Sequence, residues 1–215
     1  LVSLDYSQIE LRLVAFMAQD AAMLDAFRQG LDIHAATAAA ILNIPLAQVT
    51  KEQRRHAKAI NFGLIYGMSA FGLTRSTGLT LAESEDFVKA YFRQFPGVKK
   101  YLDGMRMSAR EHGYVETLLG RRRYFPELSV GSKTNPNVRA AAERAAINMP
   151  IQGTAADIIK IAMIRLFAAL QEQNLRSQII LQVHDELVLE VPAEEMATVA
   201  PMAKRLMEQA LPLDA

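Results

Sequence analysis

No cysteine occurs among the 215 residues. Its absence excludes a disulfide framework and any thiolate metal site, and it fits a reducing compartment. Nor does any apolar run approach the roughly 18 residues that a membrane span needs, and the Ala-rich stretch 35–42 is far too short. The chain opens Leu1-Val2-Ser3-Leu4, with neither a Met nor a charged segment before an apolar one. No signal peptide is therefore expected, and the chain reads as a piece of something longer. Excess charge is lacking too, because 24 Lys+Arg against 23 Asp+Glu leave a net +1. What is plentiful is apolar: 51% of residues are hydrophobic and 22% charged. That composition and length suit one or two domains with a real core, and exclude disordered and collagen-like classes.

The near-neutral total hides a division. Residues 51–144 hold 17 Lys/Arg and 9 Asp/Glu, whereas the rest holds 7 and 14. A basic middle of net +8 thus lies between acidic flanks that sum to −7. Basic blocks attract polyanions and clustered carboxylates attract divalent cations. Two solvated faces of opposite sign would give the same totals, so particular residues must decide.

Val2, Leu4 and Tyr6 alternate with Ser3 and Asp5, the pattern of a short strand. From Gln8 the apolar positions Ile9, Leu13, Phe16 and Met17 take helical spacing, continuing with breaks towards Phe27 and a stop at Gly30. Residues 33–44, 51–66, 80–94 and 97–113 read as further helices. They are separated at Pro45, the 67–78 region, Phe95-Pro96-Gly97 and Gly113. A loop over 131–136 leads into a helix from Val138 to about Asn148. Pro150 and Gly153 then interrupt, and Thr154-Ala155-Ala156-Asp157 looks like a capping box that restarts the helix as far as Gln171. Two β-type runs, 179–183 and 187–191, stand three residues apart, and 194–210 closes as an amphipathic helix. The fold class is α+β, with strands at both ends and a helical insertion between.

Three groups of residues carry chemistry. His184-Asp185-Glu186 occupies a tight turn where Asn-Gly or Gly-X is usual. Two adjacent acids repel, so the arrangement suits a bound cation, and hard oxygen ligands favour Mg²⁺ or Mn²⁺. A solvated polar turn is the alternative. Asp5, on the first strand, meets Asp185 if the two elements share a sheet, and two carboxylates can bridge two metals; an exposed edge-strand acid is the alternative here. Arg54, Lys58, Phe62 and Tyr66 recur every four residues, a helical stripe about 18 Å long. Two cations followed by two aromatics match a polyphosphate at one end and a flat base at the other, though an ordinary amphipathic helix carries such residues too. Asn61, Gly63 and Gly67 make the run less ordinary, since glycine weakens a helix. His34 reads as either a core or surface histidine or a ligand.

Taken together these segments resemble the family A DNA polymerases, the bacterial DNA polymerase I type. Asp5-Tyr6-Ser7-Gln8-Ile9-Glu10-Leu11-Arg12 is similar to motif A. Arg54 through Lys58 to Asn61-Phe62-Gly63-Leu64-Ile65-Tyr66-Gly67 is similar to motif B, and Val183-His184-Asp185-Glu186 to motif C. Arg144 and Asn148-Met149-Pro150-Ile151-Gln152-Gly153-Thr154-Ala155-Ala156-Asp157 resemble the long palm helix. The motifs occur in the family's order and cover essentially the whole chain.

The resemblance implies a right-hand fold with an antiparallel palm sheet and a large helical fingers subdomain. Palm would comprise 1–12 and 138–215, and fingers 13–137, with a hinge in the 67–78 region. The thumb, and any exonuclease domain, would lie before Leu1, and a last strand after Ala215. It implies template-directed DNA synthesis in replication and repair, with two Mg²⁺ ions (Mn²⁺ as a substitute) held by Asp5, Asp185 and the Tyr6 carbonyl. Glu186 would be a nearby, less essential carboxylate. His34, Arg54 and Lys58 would bind the incoming triphosphate, Lys58 also giving a proton to pyrophosphate. Gln8 would belong to the nucleotide site, Phe62 would pack on the nucleotide and Tyr66 sit near the template base. Glu10 would exclude a 2′-hydroxyl. Arg144, Asn148, Gln152 and His184 would line the primer-terminal duplex. Primer–template DNA and deoxynucleoside triphosphates are the implied partners, for a monomer in the bacterial cytoplasm, at the nucleoid, and not at a membrane.

Three rivals remain at this point. A phosphohydrolase could use His184-Asp185 with His34 or His56, but such pairs usually sit on helices. A related RNA polymerase conflicts with Glu10. A nucleic-acid-binding module with decayed catalysis would not need Asp5, Asp185 and Lys58 together.

Overall fold

The computed structural model describes residues 1–129 and 131–213; residues 214 and 215, the end of the expected palm span, lie outside the described residues. In chain order the elements are β1 (Val2–Asp5), α1 (Ile9–Ala18), α2 (Ala21–Arg28), α3 (Ile33–Leu42), α4 (Lys51–Ile65), α5 (Ala70–Thr77), α6 (Leu81–Gln94) and α7 (Pro96–His112). They continue with β2 (Tyr114–Glu116), β3 (Arg122–Tyr124), α8 (Pro136–Glu172), β4 (Gln178–Val183), β5 (Glu186–Glu190) and α9 (Met196–Glu208). Among the described residues no helix is long and apolar enough to cross a membrane. The chain divides into two compact units, Leu1–Glu10 with Gln152–Leu213, and Leu11–Ile151.

The first unit is built on a three-stranded antiparallel sheet of order β1-β5-β4. Period-two alternation explains its central strand. Leu187 and Leu189 are fully buried, and burial of each contributes about 1.5–3 kcal/mol. On β1, Val2 and Leu4 are half-buried opposite Leu189 and Leu187, while Ser3 and Asp5 face outward. The outward position of Asp5 settles its burial: the edge strand exposes it. Beneath, the Tyr6 hydroxyl donates to the Met207 carbonyl at 2.6 Å and Arg165 donates to the Gln209 carbonyl at 2.6 Å, tying α9 to β1 and α8.

In the second unit local signals start and stop the helices. Asp32 caps α3 by accepting from the backbone of His34 and Ala35, and Thr50 with Gln53 forms a reciprocal capping box on α4. Pro96 opens α7 and Gly113, at φ +74°, ends it.

Four sequence expectations need correction. The 67–78 region is not an open separator: it holds α5, whose Leu73 packs against α4 where an added Cβ on Gly63 would stand 2.9 Å from Leu73 Cδ2. The glycine inside α4 is thus a close-approach position. Strand material is not confined to the ends, because β2 and β3 pair as a hairpin that buries Val115 and Phe125 against Ala109, Ala146 and Met149. Three-residue strands give too little alternation to be read beforehand. Nor do Pro150 and Gly153 break the long helix, for α8 runs 37 residues without interruption. A central proline costs about 3 kcal/mol, and burial of Ile147, Met149, Ile151 and Ala155 around it holds the helix together. Thr154 is accordingly a fully buried interior residue of α8, not a cap. Lastly, the β4–β5 turn has two residues rather than three, since Glu186 already pairs with Val183.

Candidate active site

Pairing of β1 with β5 assembles the carboxylates. Asp5 stands directly opposite Glu186, and one step beyond, the Tyr6 N–H donates to the Asp185 carbonyl at 3.1 Å. Both backbone bends that deliver these residues are unusual. His184, first in the turn, has φ +50°, and Gln8, between β1 and α1, has φ +58°. A side-chain-bearing residue in this left-handed region costs about 1–2 kcal/mol, and such positions gather at functional sites. The bend at Gln8 allows Glu10 to enter the first turn of α1.

The electrostatics follow from this crowding. Burial, then the charge of Asp5, pushes the Asp185 carboxyl above the usual carboxylate range, with His184 pulling the other way. Glu10 is raised by burial and then by Asp185. Burial lifts the Tyr6 hydroxyl to about 12, so it stays a hydrogen-bond donor to Met207. Glu186 is held from the side by the Ser3 hydroxyl, which donates to it. Among the described residues no group of three or more His, Asp or Glu side chains surrounds a common cation position. Asp5 and Asp185 nevertheless fit a hard divalent ion. Mg²⁺ commonly takes only one or two protein carboxylates and completes its shell with water and substrate phosphate.

The second unit presents the cationic stripe on α4. Arg54 and Lys58 are exposed, Phe62 and Tyr66 half-buried, and the two rings stand 6.1 Å apart. Arg54 is already paired: its Nε and a terminal nitrogen reach Asp32 Oδ2 at 2.8 and 2.7 Å. Asp32 therefore both caps α3 and fixes the first cation of the stripe. Burial opposes ionisation of its carboxyl, but hydrogen bonds from Ala35, Arg54 and His34 together hold it below the usual range.

His34 proves to be a core residue beside the stripe. It is only 2% exposed, its ring lies 5.8 Å from Phe62, and its Nδ1 is 3.1 Å from the Asn61 amide nitrogen. Burial lowers its pKa to about 4; Asp32 opposes this while Arg54 and Lys58 add to it. The imidazole is neutral at physiological pH.

Arg144, Asn148 and Gln152 follow at four-residue spacing along α8, the first two in the second unit and the third in the first. Gly67, at φ +72°, closes onto this helix: an added Cβ would stand 3.2 Å from Arg144 Cγ and 3.4 Å from Ile147 Cδ1. Asn148 Oδ1 is buried with no hydrogen-bond partner, an acceptor left for a ligand or water at a cost of about 1–3 kcal/mol.

Three residues with evident parts here were not singled out from the sequence. Asp32 was legible as an acid immediately before a helix; Ser3 and Thr37, which hold Glu186 and Asn61, gave no signal that local patterning could detect.

Comparison with known proteins bears on the family and the fold. The model of the family described as DNA polymerase family A matches residues 1–215. DNA polymerase I of Pseudomonas aeruginosa is 52% identical over 214 residues, covering all of this chain and 23% of that protein. DNA polymerase I of Geobacillus stearothermophilus is 50% identical over 209 residues, 97% of this chain and 24% of the relative. A solved POL domain of Pol1 from M. smegmatis, in complex with DNA primer-template and dNTP, superimposes with a TM-score of 0.94 at 46% identity, over 99% of this chain and 37% of that one. The chain thus spans about a quarter of the length of these curated relatives.

Proposed function

The chain belongs to DNA polymerase family A, and on that premise we propose that it carries the catalytic centre of template-directed DNA synthesis, adding deoxynucleotides to a primer 3′-hydroxyl with release of pyrophosphate. The observation that carries this reading is the strand pairing that brings Asp5, exposed on the edge strand β1, beside the half-buried Asp185. Binding alone would not need converging carboxylates at a place where burial, and then the charge of Asp5, raises Asp185.

In the reaction the 3′-oxygen forms a bond to the α-phosphorus as the bond to the β-phosphate oxygen breaks, so positioning and charge neutralisation dominate. Asp5, Asp185 and the Tyr6 carbonyl would hold two Mg²⁺, which when bound activate the hydroxyl and neutralise the leaving phosphates. Arg54 and Lys58 bind the triphosphate, Arg54 exchanging its Asp32 partner for phosphate oxygens. Lys58 gives a proton to the leaving pyrophosphate. His34 adds a neutral hydrogen-bond donor to the same group. Phe62 and Tyr66 supply apolar faces for the nucleotide and the template base. Glu10, which feels the charge of Asp185, blocks a 2′-hydroxyl, and Gln8, two residues before it, belongs to the same nucleotide site. Glu186, restrained by Ser3, supports the carboxylate pair without bonding substrate.

Arg144, Asn148, Gln152 and His184 meet the minor groove of the primer-terminal duplex, whose degenerate pattern suits sequence-tolerant contacts. Binding of primer–template and of dNTP by the solved M. smegmatis relative supports the same partners.

The decisive experiment is Asp185→Ala in the enzyme that carries this chain. Primer extension is expected to fall by at least about 1,000-fold, while duplex affinity measured by fluorescence anisotropy stays within about threefold. Undiminished extension would refute the assignment.

A further inference from the structure

We infer that Asn61 is a positioning residue that fixes His34 as its Nε2–H tautomer, so that the ring meets the triphosphate as a preset neutral donor. This rests on the reading of His34 as a nucleotide contact given above.

The argument is an accounting of hydrogens. Asn61 and Thr37 are fully buried, and His34 nearly so. The Thr37 hydroxyl donates its single hydrogen to the Ile33 carbonyl at 2.7 Å. Its oxygen is then an acceptor, and Asn61 Nδ2 donates to it at 3.1 Å. Asn61 Oδ1 also stands 3.3 Å from the same hydroxyl, whose shorter bond goes to Ile33. What decides the ring is that the amide nitrogen, which can only donate, stands 3.1 Å from His34 Nδ1. A ring nitrogen that accepts cannot carry a proton. A neutral imidazole accepting at Nδ1 has its one N–H at Nε2.

The arrangement has a chemical purpose. Arg54 and Lys58 already supply two cations beside the ring. A charged imidazole would repel both and would set two N–H groups against each other at Asn61. The neutral tautomer adds a donor for a phosphate oxygen without a third charge. Asn61 lies on α4, as do Arg54 and Lys58, whereas His34 lies on α3, so the bond keeps the histidine in register with the stripe. Phe62 restrains the ring from another side.

The test reads the tautomer directly. The chain has four histidines, so His34 is assignable in ¹⁵N-histidine-labelled protein by comparison with His34→Gln. Long-range ¹H–¹⁵N spectra are expected to show His34 bare at Nδ1 and protonated at Nε2. Asn61→Asp replaces the donor by an acceptor and is expected to move the proton to Nδ1. In the enzyme carrying the chain, this variant should raise the nucleotide KM about tenfold with kcat within about twofold, the worth of one misdirected hydrogen bond. Thr37→Val, a near-isosteric change, should raise KM about threefold and shows the same direction if Asn61→Asp fails to fold. A wild-type His34 protonated at Nδ1, or a tautomer unmoved by Asn61→Asp, overturns the inference. An expected spectrum combined with an unchanged KM in His34→Gln overturns instead the nucleotide role of His34 on which it rests.

Discussion

The Tyr6 N–H and the Asp185 carbonyl are joined by a 3.1 Å hydrogen bond that carries the β1–β5 ladder one step past the Asp5–Glu186 pair. With the ladder behind it, this bond makes neighbours of two carboxylates from opposite ends of the sequence. It also makes their repulsion a measurable property of the fold, since Asp185 is held above the ordinary range by burial and then by Asp5.

A carboxyl raised in the folded state binds protons more tightly there than in the unfolded chain. Its contribution to stability is therefore lost as pH rises from the ordinary carboxylate value through the raised one. Asp185→Asn removes that loss. At neutral pH without divalent cations, its thermal midpoint is expected to lie about 2 °C above wild type. Mg²⁺ should then raise the wild-type midpoint by mass action and leave the variant unmoved. A wild-type midpoint indifferent to Mg²⁺ would remove the cation from this cluster.

Glu10 follows the left-handed bend at Gln8 and shares the field of Asp185. On the function proposed above, a half-buried carboxylate there would leave a 2′-hydroxyl crowded and poorly partnered. Glu10→Ala is expected to lower discrimination against ribonucleotides by on the order of 10- to 100-fold, measured as the ratio of kcat/KM for the two sugars. An unchanged ratio removes Glu10 from sugar selection.

The strands and helices with long, regular patterns were legible in the sequence, including β1, α3, α4 and the β4–β5 hairpin. The continuous α8 was not, because Pro150 and Gly153 are breakers by local propensity and only tertiary burial of Ile147, Met149 and Ile151 overrides them. Hairpin β2–β3 escaped because three residues carry no readable period. In the site, spacing alone identified the stripe from Arg54 to Tyr66, but not that Asp32 already holds Arg54. The same spacing could not decide between a core and a ligand role for His34. The structure places it in the core with Nδ1 engaged by Asn61.

His34 also gives the folded state a sensitivity to acid. Its pKa falls to about 4 through burial, against Asp32 and with Arg54 and Lys58. The unfolded chain therefore takes up a proton first, beginning near the ordinary value of about 6.5. Stability attributable to this residue is full above that value and is lost as pH falls towards about 4. Urea denaturation between pH 7 and 4.5 should show a steeper decline for wild type than for His34→Gln. Parallel curves would mean that the ring is not held neutral by the fold.

Two glycines at the ends of the same short stretch separate conformational from steric constraint. Gly67 and Gly78 have nearly equal φ, +72° and +74°. Each would charge an alanine about 1 kcal/mol for its left-handed backbone. Only Gly67 faces anything: its added Cβ would meet Arg144 Cγ at 3.2 Å and Ile147 Cδ1 at 3.4 Å, whereas nothing lies within 4 Å at Gly78. Ile147 is buried and has little room to retreat, so the flexible Arg144 side chain must move. Gly67→Ala is thus expected to cost about 2 kcal/mol by urea denaturation and Gly78→Ala about 1 kcal/mol. Displacement of Arg144 should also weaken primer–template affinity several-fold in Gly67→Ala alone. Equal losses of affinity in the two variants would show that Gly67 serves the turn and not the position of Arg144.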